Sequence, residues 1–116
     1  MQQVAAPLEE ISALRLEDAR ARWSLGGDFS RDEIEIVDGY VGDGYAKSRP
    51  EELSLIADVA RTEAVFLDPV YTGKAFYGLT RELEKNPRAF GERIVFIHTG
   101  GIFGLFPKAQ EIAPLL

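Results

Sequence analysis

The sequence predicts an α/β fold, three-layered, with a mostly parallel sheet and crossover helices. Three observations carry that prediction. Helical stretches alternate with short apolar ones, the order expected of crossover units. Two apolar stretches, "AVFLD" at 64–68 and "RIVFIH" at 93–98, are continuous rather than alternating, as in strands buried on both faces. Each apolar stretch gives way to a loop bearing glycine, the usual punctuation of a strand end.

The elements follow in order. Residues 1–6 read as a frayed terminus. From Pro7 to about Ser24 a helix is expected, with proline in the first turn, Glu9 and Glu10 at the positive end of the dipole, and Leu8, Ile11, Leu14, Ala19 and Trp23 loosely periodic. Gly26 and Gly27 end it. "IEIV" at 34–37 alternates and is β-branched, so a strand is expected. "DGYVGDGYAKSR" holds three glycines and reads as a loop. Ser48 with Glu51 has the spacing of a capping box, and opens a helix from Pro50 to Glu63 with Leu53, Ile56, Ala57 and Ala60 on one side. "TGKAFYGLTRELEKN" reads as the next helix, with Ala75, Phe76, Leu79 and Leu83 inward and Pro87 stopping it. "TGGIFG" is a loop, and "PKAQEIAPLL" holds a closing helical turn or two. A sheet of three strands has apolar exposed edges, so the chain reads as part of something larger.

The 116 residues are the size of a single domain, 1–116. Their 46% apolar and 28% charged content is that of a soluble globular protein. No apolar run is long enough for a membrane span, and "MQQVAAPLEE" lacks the pattern of a signal peptide, which gives a cytoplasmic expectation. A net charge of −6 without a basic stripe argues against nucleic acid. The absence of cysteine excludes disulfides and thiolate chemistry, and a single histidine argues against a histidine metal site.

Ligands of open parallel sheets bind at the carboxyl ends of the strands. The loops there are "DGYVGDGY", "DPVYTGK" and "HTGG". Their glycines, tyrosines and threonines suit a pocket, although strand ends need turn residues in any case. "YTGKA" lacks the upstream glycine and the following Ser or Thr of a P-loop. "DGYVGDG" lacks the alternating ligands of a calcium loop. No G-x-S-x-G elbow is present, and His98 at a strand end suits a hydrogen-bonded structural role.

A further comparison holds. "ARTEAVFLDPVYTGKAFYGL" followed by "VFIHTGG", with "GDGYA" upstream, resembles the C-terminal part of the D-cysteine desulfhydrase and 1-aminocyclopropane-1-carboxylate deaminase family. The resemblance runs from about Ile34 to Phe106. It implies a fragment of the large domain of a tryptophan-synthase-β-like (fold type II) enzyme using pyridoxal 5′-phosphate, with a small amino-acid substrate and a homodimeric full enzyme.

Residue roles follow from that resemblance alone. Tyr71 maps to a tyrosine beside the cofactor with an acid-base or substrate-orienting part, and Tyr45 to a second tyrosine bordering the site, with Ala46 where the family has glycine. Thr72 and Thr99 stand where deaminases of the family carry glutamate and leucine. They resemble the desulfhydrase branch, in which the threonine of "HTGG" faces the pyridine nitrogen. A hydroxyl stabilises a protonated ring less than a carboxylate does, which suits β-elimination of a good leaving group, giving pyruvate, sulfide and ammonia, better than cyclopropane opening. Thr72 also suits a helix cap. Gly100 and Gly101 would let the backbone approach the ring. Lys74 is not the Schiff-base lysine, which in the family follows Ser-Gly-Asn in the N-terminal part; it reads as a surface or supporting residue. Without that segment the chain is expected to be inactive alone and to need the missing N-terminal part as partner. A deaminase-like enzyme and a non-catalytic interaction fragment are the alternatives.

Overall fold

The computed structural model describes residues 8–116; the expected fraying of residues 1–6, and Pro7, lie outside them. The helices are α1 (Leu8–Trp23), α2 (Pro50–Glu63), α3 (Thr72–Lys85) and the single turn α4 (Ala109–Ile112), with 3-10 segments at Arg31–Glu33, Ile102–Lys108 and Ala113–Leu115. No strand and no sheet occurs among the described residues. The expected parallel sheet is therefore corrected: these residues form a helical structure.

The physical reason lies in the three apolar segments themselves. A strand persists by pairing with neighbouring backbone, and its apparent propensity is largely a matter of what it packs against. Segments 34–37, 64–68 and 93–98 form no ladder among the described residues. Segment 93–98 keeps the side-chain alternation of a strand without its pairing. Phe96 packs edge-on against Phe76 of α3 at 5.1 Å, while Val95 and Ile97 on either side are 87% and 77% exposed.

The described chain falls into two compact units, one ending at Val37 and the other spanning Asp38–Leu116. In the first, α1 has acidic residues in its first turn and arginines in its last, which suits the helix dipole. Its apolar residues do not share a face: Ala13 is buried, but Leu8, Leu14, Leu16 and Trp23 are exposed. Ser30 and Glu33 cap the short 3-10 turn reciprocally, and Arg20 pairs with Asp28.

The second unit holds the core. Leu53 and Ile56 of α2, Leu67 and Ile112 are buried together, with Val59, Phe76, Phe96, Leu105 and Leu115 packed on them. Burying side chains of this kind is worth about 1.5–3 kcal/mol each. Helix α2 begins at Pro50 as the sequence implies, but its cap is shifted by one residue. The Glu52 carboxylate accepts from the Arg49 amide at 2.9 Å, whereas the Ser48 hydroxyl donates to the Pro69 carbonyl at 3.0 Å. Leu53, Ile56 and Ala57 face inward and Ala60 is half-buried. Helix α3 buries Thr72, Gly73, Lys74 and Gly78, with Phe76, Leu79 and Leu83 half-buried and Ala75 exposed. Its packed face is thus built on small residues: a Cβ on Gly73 would lie 2.6 Å from the Asp68 carbonyl and from Ile56, and one on Gly78 3.0 Å from the Tyr40 ring. No helix among the described residues is long and apolar enough to cross a membrane.

Candidate functional site

All six residues singled out by the sequence lie in the Asp38–Leu116 unit. Their framework is Asp68. Its side chain is 1% exposed and accepts four hydrogen bonds. Oδ1 takes the amides of Val70 and Tyr71, both at 2.8 Å. Oδ2 takes the Thr72 amide at 2.8 Å and the Thr72 hydroxyl at 2.6 Å. Pro69 fixes φ at the turn, and the carboxylate gathers the amides that open α3, where negative charge also meets the positive end of the helix dipole. Burial pushes the Asp68 carboxyl up, but the Thr72 side chain and the Thr72, Tyr71 and Val70 amides together outweigh it and hold it below the ordinary 3.8.

Thr72 is accordingly buried. Its hydroxyl also accepts from the Asp68 amide at 2.8 Å, so both of its hydrogen-bonding functions serve the turn. This is a cap formed between Asp68 and Thr72. Tyr71, one residue earlier, is 60% exposed, its amide tied to Asp68 and its ring outside the core.

Tyr45 comes to meet it. Residues 39–46 form a bent loop in which Gly39, Gly42, Gly44 and Ala46 all have positive φ, at 91°, 70°, 125° and 57°. The position where the family pattern has glycine and this chain has Ala46 is thus one that favours glycine. The Tyr45 and Tyr71 rings meet edge to face at 6.1 Å. The neighbouring Tyr45 phenol raises the Tyr71 phenol above its ordinary 10.0.

The third loop adjoins the first. His98 Nε2 meets the Phe66 carbonyl at 2.9 Å, and the Gly100 amide donates to His98 Nδ1 at 3.0 Å. His98 therefore carries its proton on Nε2 and ties one loop to the other. Thr99 is exposed. Gly100 and Gly101 have φ of +94° and +92°, but differ in surroundings. Nothing lies within 4 Å of a Cβ built on Gly100, whereas one on Gly101 would fall 2.7 Å from Asp68 Cγ. Gly101 thus seats this loop on the Asp68 turn, and Gly100 leaves open space beside Thr99.

The structure brings Tyr45 to Tyr71, and Gly101 and Thr72 to Asp68. The sequence reading did not single out Asp68 as the hub; Asp-Pro with a threonine four residues after the aspartate is the signal that could have found it. Of the two roles expected for Lys74, surface or supporting, the surface one is corrected: Lys74 is 8% exposed, its ammonium donating to the carbonyls of Val41 at 2.6 Å and Gly44 at 2.9 Å.

No family model matches the chain. Curated relatives do. The chain is 47% identical over 88 residues to a protein of Arabidopsis thaliana named bifunctional D-cysteine desulfhydrase/1-aminocyclopropane-1-carboxylate deaminase, mitochondrial, a match covering 75% of this chain and 22% of that protein. A putative 1-aminocyclopropane-1-carboxylate deaminase of Thermotoga maritima is 46% identical over 82 residues, covering 68% of this chain and 24% of the relative. The D-cysteine desulfhydrase of Yersinia enterocolitica is 42% identical over 89 residues, covering 77% and 27%. The chain thus spans about a quarter of the length of the relatives it matches. Across that quarter, this chain belongs to the D-cysteine desulfhydrase and 1-aminocyclopropane-1-carboxylate deaminase family.

Proposed function

We propose that this chain forms one wall of the active site of a pyridoxal-phosphate-dependent lyase acting on D-cysteine or a closely related β-substituted amino acid. The reaction is β-elimination to pyruvate, sulfide and ammonia. The observation that carries this reading is the meeting of Tyr45 and Tyr71 beside a turn on which the Thr99–Gly101 loop is seated.

The residues fit a planar cofactor as a wall. Gly100 leaves open space where any side chain would intrude, and the neighbouring Thr99 is exposed. They do not fit as an anchor, because the Ser-Gly-Asn-Lys segment is absent from the 116 residues. When bound, pyridoxal phosphate supplies an electron sink for the pair left as the substrate Cα–H bond breaks. Thr99 would offer its hydroxyl to the ring nitrogen, and Gly100 and Gly101 would let the backbone lie against the ring. Tyr71, its phenol raised by Tyr45, stays protonated at neutral pH and acts as a proton donor or a hydrogen-bond donor to substrate. Tyr45 orients it. Thr72, with its hydroxyl held by Asp68, serves the cofactor wall by fixing the turn.

The deaminase alternative is weakest at position 72. The deaminases that the chain resembles carry glutamate there, whereas this chain has a threonine whose hydroxyl is engaged with Asp68. Partners on this reading are the lysine-bearing remainder of the enzyme and a second copy of the whole, in the cytoplasm. The test is reconstitution. This chain is mixed with a polypeptide supplying the remainder, pyridoxal phosphate and D-cysteine, and sulfide is measured. Sulfide release supports the reading; no sulfide and no change in cofactor absorbance in any such mixture ends it and leaves a non-catalytic fragment.

A further inference from the structure

We infer that Lys74 is a positioning residue that pins the Tyr45 loop to helix α3 and so makes the Tyr45–Tyr71 pair; its significance for catalysis rests on the function proposed above.

The loop 39–46 turns through four positive-φ residues, and the carbonyls of Val41 and Gly44 converge on one point. Lys74 Nζ occupies that point, at 2.6 and 2.9 Å. Among the described residues its ammonium forms no ion pair, and the side chain is only 8% exposed. Burying an ammonium without a counter-charge is unfavourable and is sustained only where hydrogen bonds offset it. A methionine would fill the same space without that cost. What the charge adds is therefore its grip on the two carbonyls.

That grip acts where the tyrosines meet. Gly44 is bonded to Tyr45, and Lys74 lies one helical turn after Tyr71 on α3. One side chain thus connects the residue before Tyr45 to the turn after Tyr71. The other ties between this stretch and the rest of the unit lie to either side. Tyr40 packs its ring on Gly78 and donates its hydroxyl to Glu82, and Ser48 donates to the Pro69 carbonyl. They hold the ends of the loop; in its middle, Val41 to Tyr45, the Arg49 and Glu52 side chains lie beside Gly42, and the hydrogen bonds to α3 are those of Lys74.

The test is nuclear magnetic resonance on the full chain with isotope-labelled tyrosine rings, for which the molecule has its own control. Tyr40 and Tyr77 form a second edge-to-face pair, at 6.2 Å; Tyr40 adjoins Val41, but its own anchors are the Glu82 carboxylate and Gly78 rather than Lys74. The parent chain should show both inter-ring contacts. Lys74→Met and Lys74→Gln should each lose the Tyr45–Tyr71 cross-peak and keep the Tyr40–Tyr77 one. Retention of both cross-peaks in the two variants overturns the inference. Loss of both cross-peaks in the two variants makes Lys74 a general support of the fold, and also overturns it. The readout needs no cofactor or substrate, so it stands or falls separately from sulfide release in the reconstituted mixture.

Discussion

Asp68 is the residue on which the turn before α3 depends most heavily, and its removal has a computable effect. In Asp68→Ala four donors lose their acceptor: the amides of Val70, Tyr71 and Thr72 and the Thr72 hydroxyl. Val70 is half-buried and Tyr71 exposed, so water can recover part of two of these bonds. Thr72 is 3% exposed, and its amide and hydroxyl are left buried without their partner. A buried group so orphaned costs about 1–3 kcal/mol, which gives about 4 kcal/mol for the two. Asp68→Asn keeps one oxygen but turns an NH2 toward donors, and should cost about 2 kcal/mol. The assay is urea unfolding at neutral pH followed by circular dichroism, with a shifted midpoint and unchanged slope. An alanine variant within about 1 kcal/mol of the parent would refute the reasoning. The same carboxylate gives a pH dependence. Its folded-state value lies below 3.8, so the folded form holds the charge more firmly than the unfolded chain. The stability this supplies is fully present above 3.8 and is lost as pH falls through the lower folded value. In Asp68→Asn that acid-limb loss should be smaller.

Other outcomes follow from single positions. Gly101→Ala meets both a positive φ and the Asp68 carboxylate at 2.7–2.8 Å, and should cost about 3 kcal/mol in the same unfolding assay, whereas Gly100→Ala, with open space around it, should cost only the backbone strain of about 1–2 kcal/mol; equal costs would contradict the seating of this loop on Asp68. Ala46→Gly relieves a left-handed φ of 57° and, after the flexibility gained by the unfolded chain, should stabilise by about 0.5 kcal/mol; a loss would count against the loop geometry. Tyr45→Phe removes the hydroxyl that raises Tyr71, so the Tyr71 phenol should titrate closer to 10.0 by ultraviolet absorbance, and an unmoved titration would mean the two hydroxyls do not interact.

The helices were legible because their signals are local. Pro50 with acidic residues behind it starts α2, Leu53, Ile56 and Ala57 mark its buried face, and Pro87 follows the end of α3. The sheet was misread because "AVFLD" and "RIVFIH" carry only half of what makes a strand. The other half is a paired backbone on each side, and among the described residues none supplies it. Val95 and Ile97 keep the strand's alternation and remain exposed. The candidate site was legible as a motif, whereas its geometry was not. Tyr45 and Tyr71 do come together, yet no spacing says that a buried lysine would hold one to the other. Thr72 offered two readings, a cap and a cofactor partner, and its hydroxyl is wholly engaged with Asp68. The hub role of Asp68 and the burial of Lys74 were not legible because charged residues read as surface unless their partners are known, and apart from the Thr72 hydroxyl those partners are backbone groups that any sequence could provide.

The central claim is that Tyr71 faces a reacting substrate. Its most direct test is the rate of sulfide release from D-cysteine in the reconstituted enzyme carrying Tyr71→Phe, which keeps the ring and the Asp68-bound amide and removes only the hydroxyl. Loss of a proton donor at the reacting centre should lower that rate on the order of 10²-fold. A rate equal to that of the parent would contradict the account.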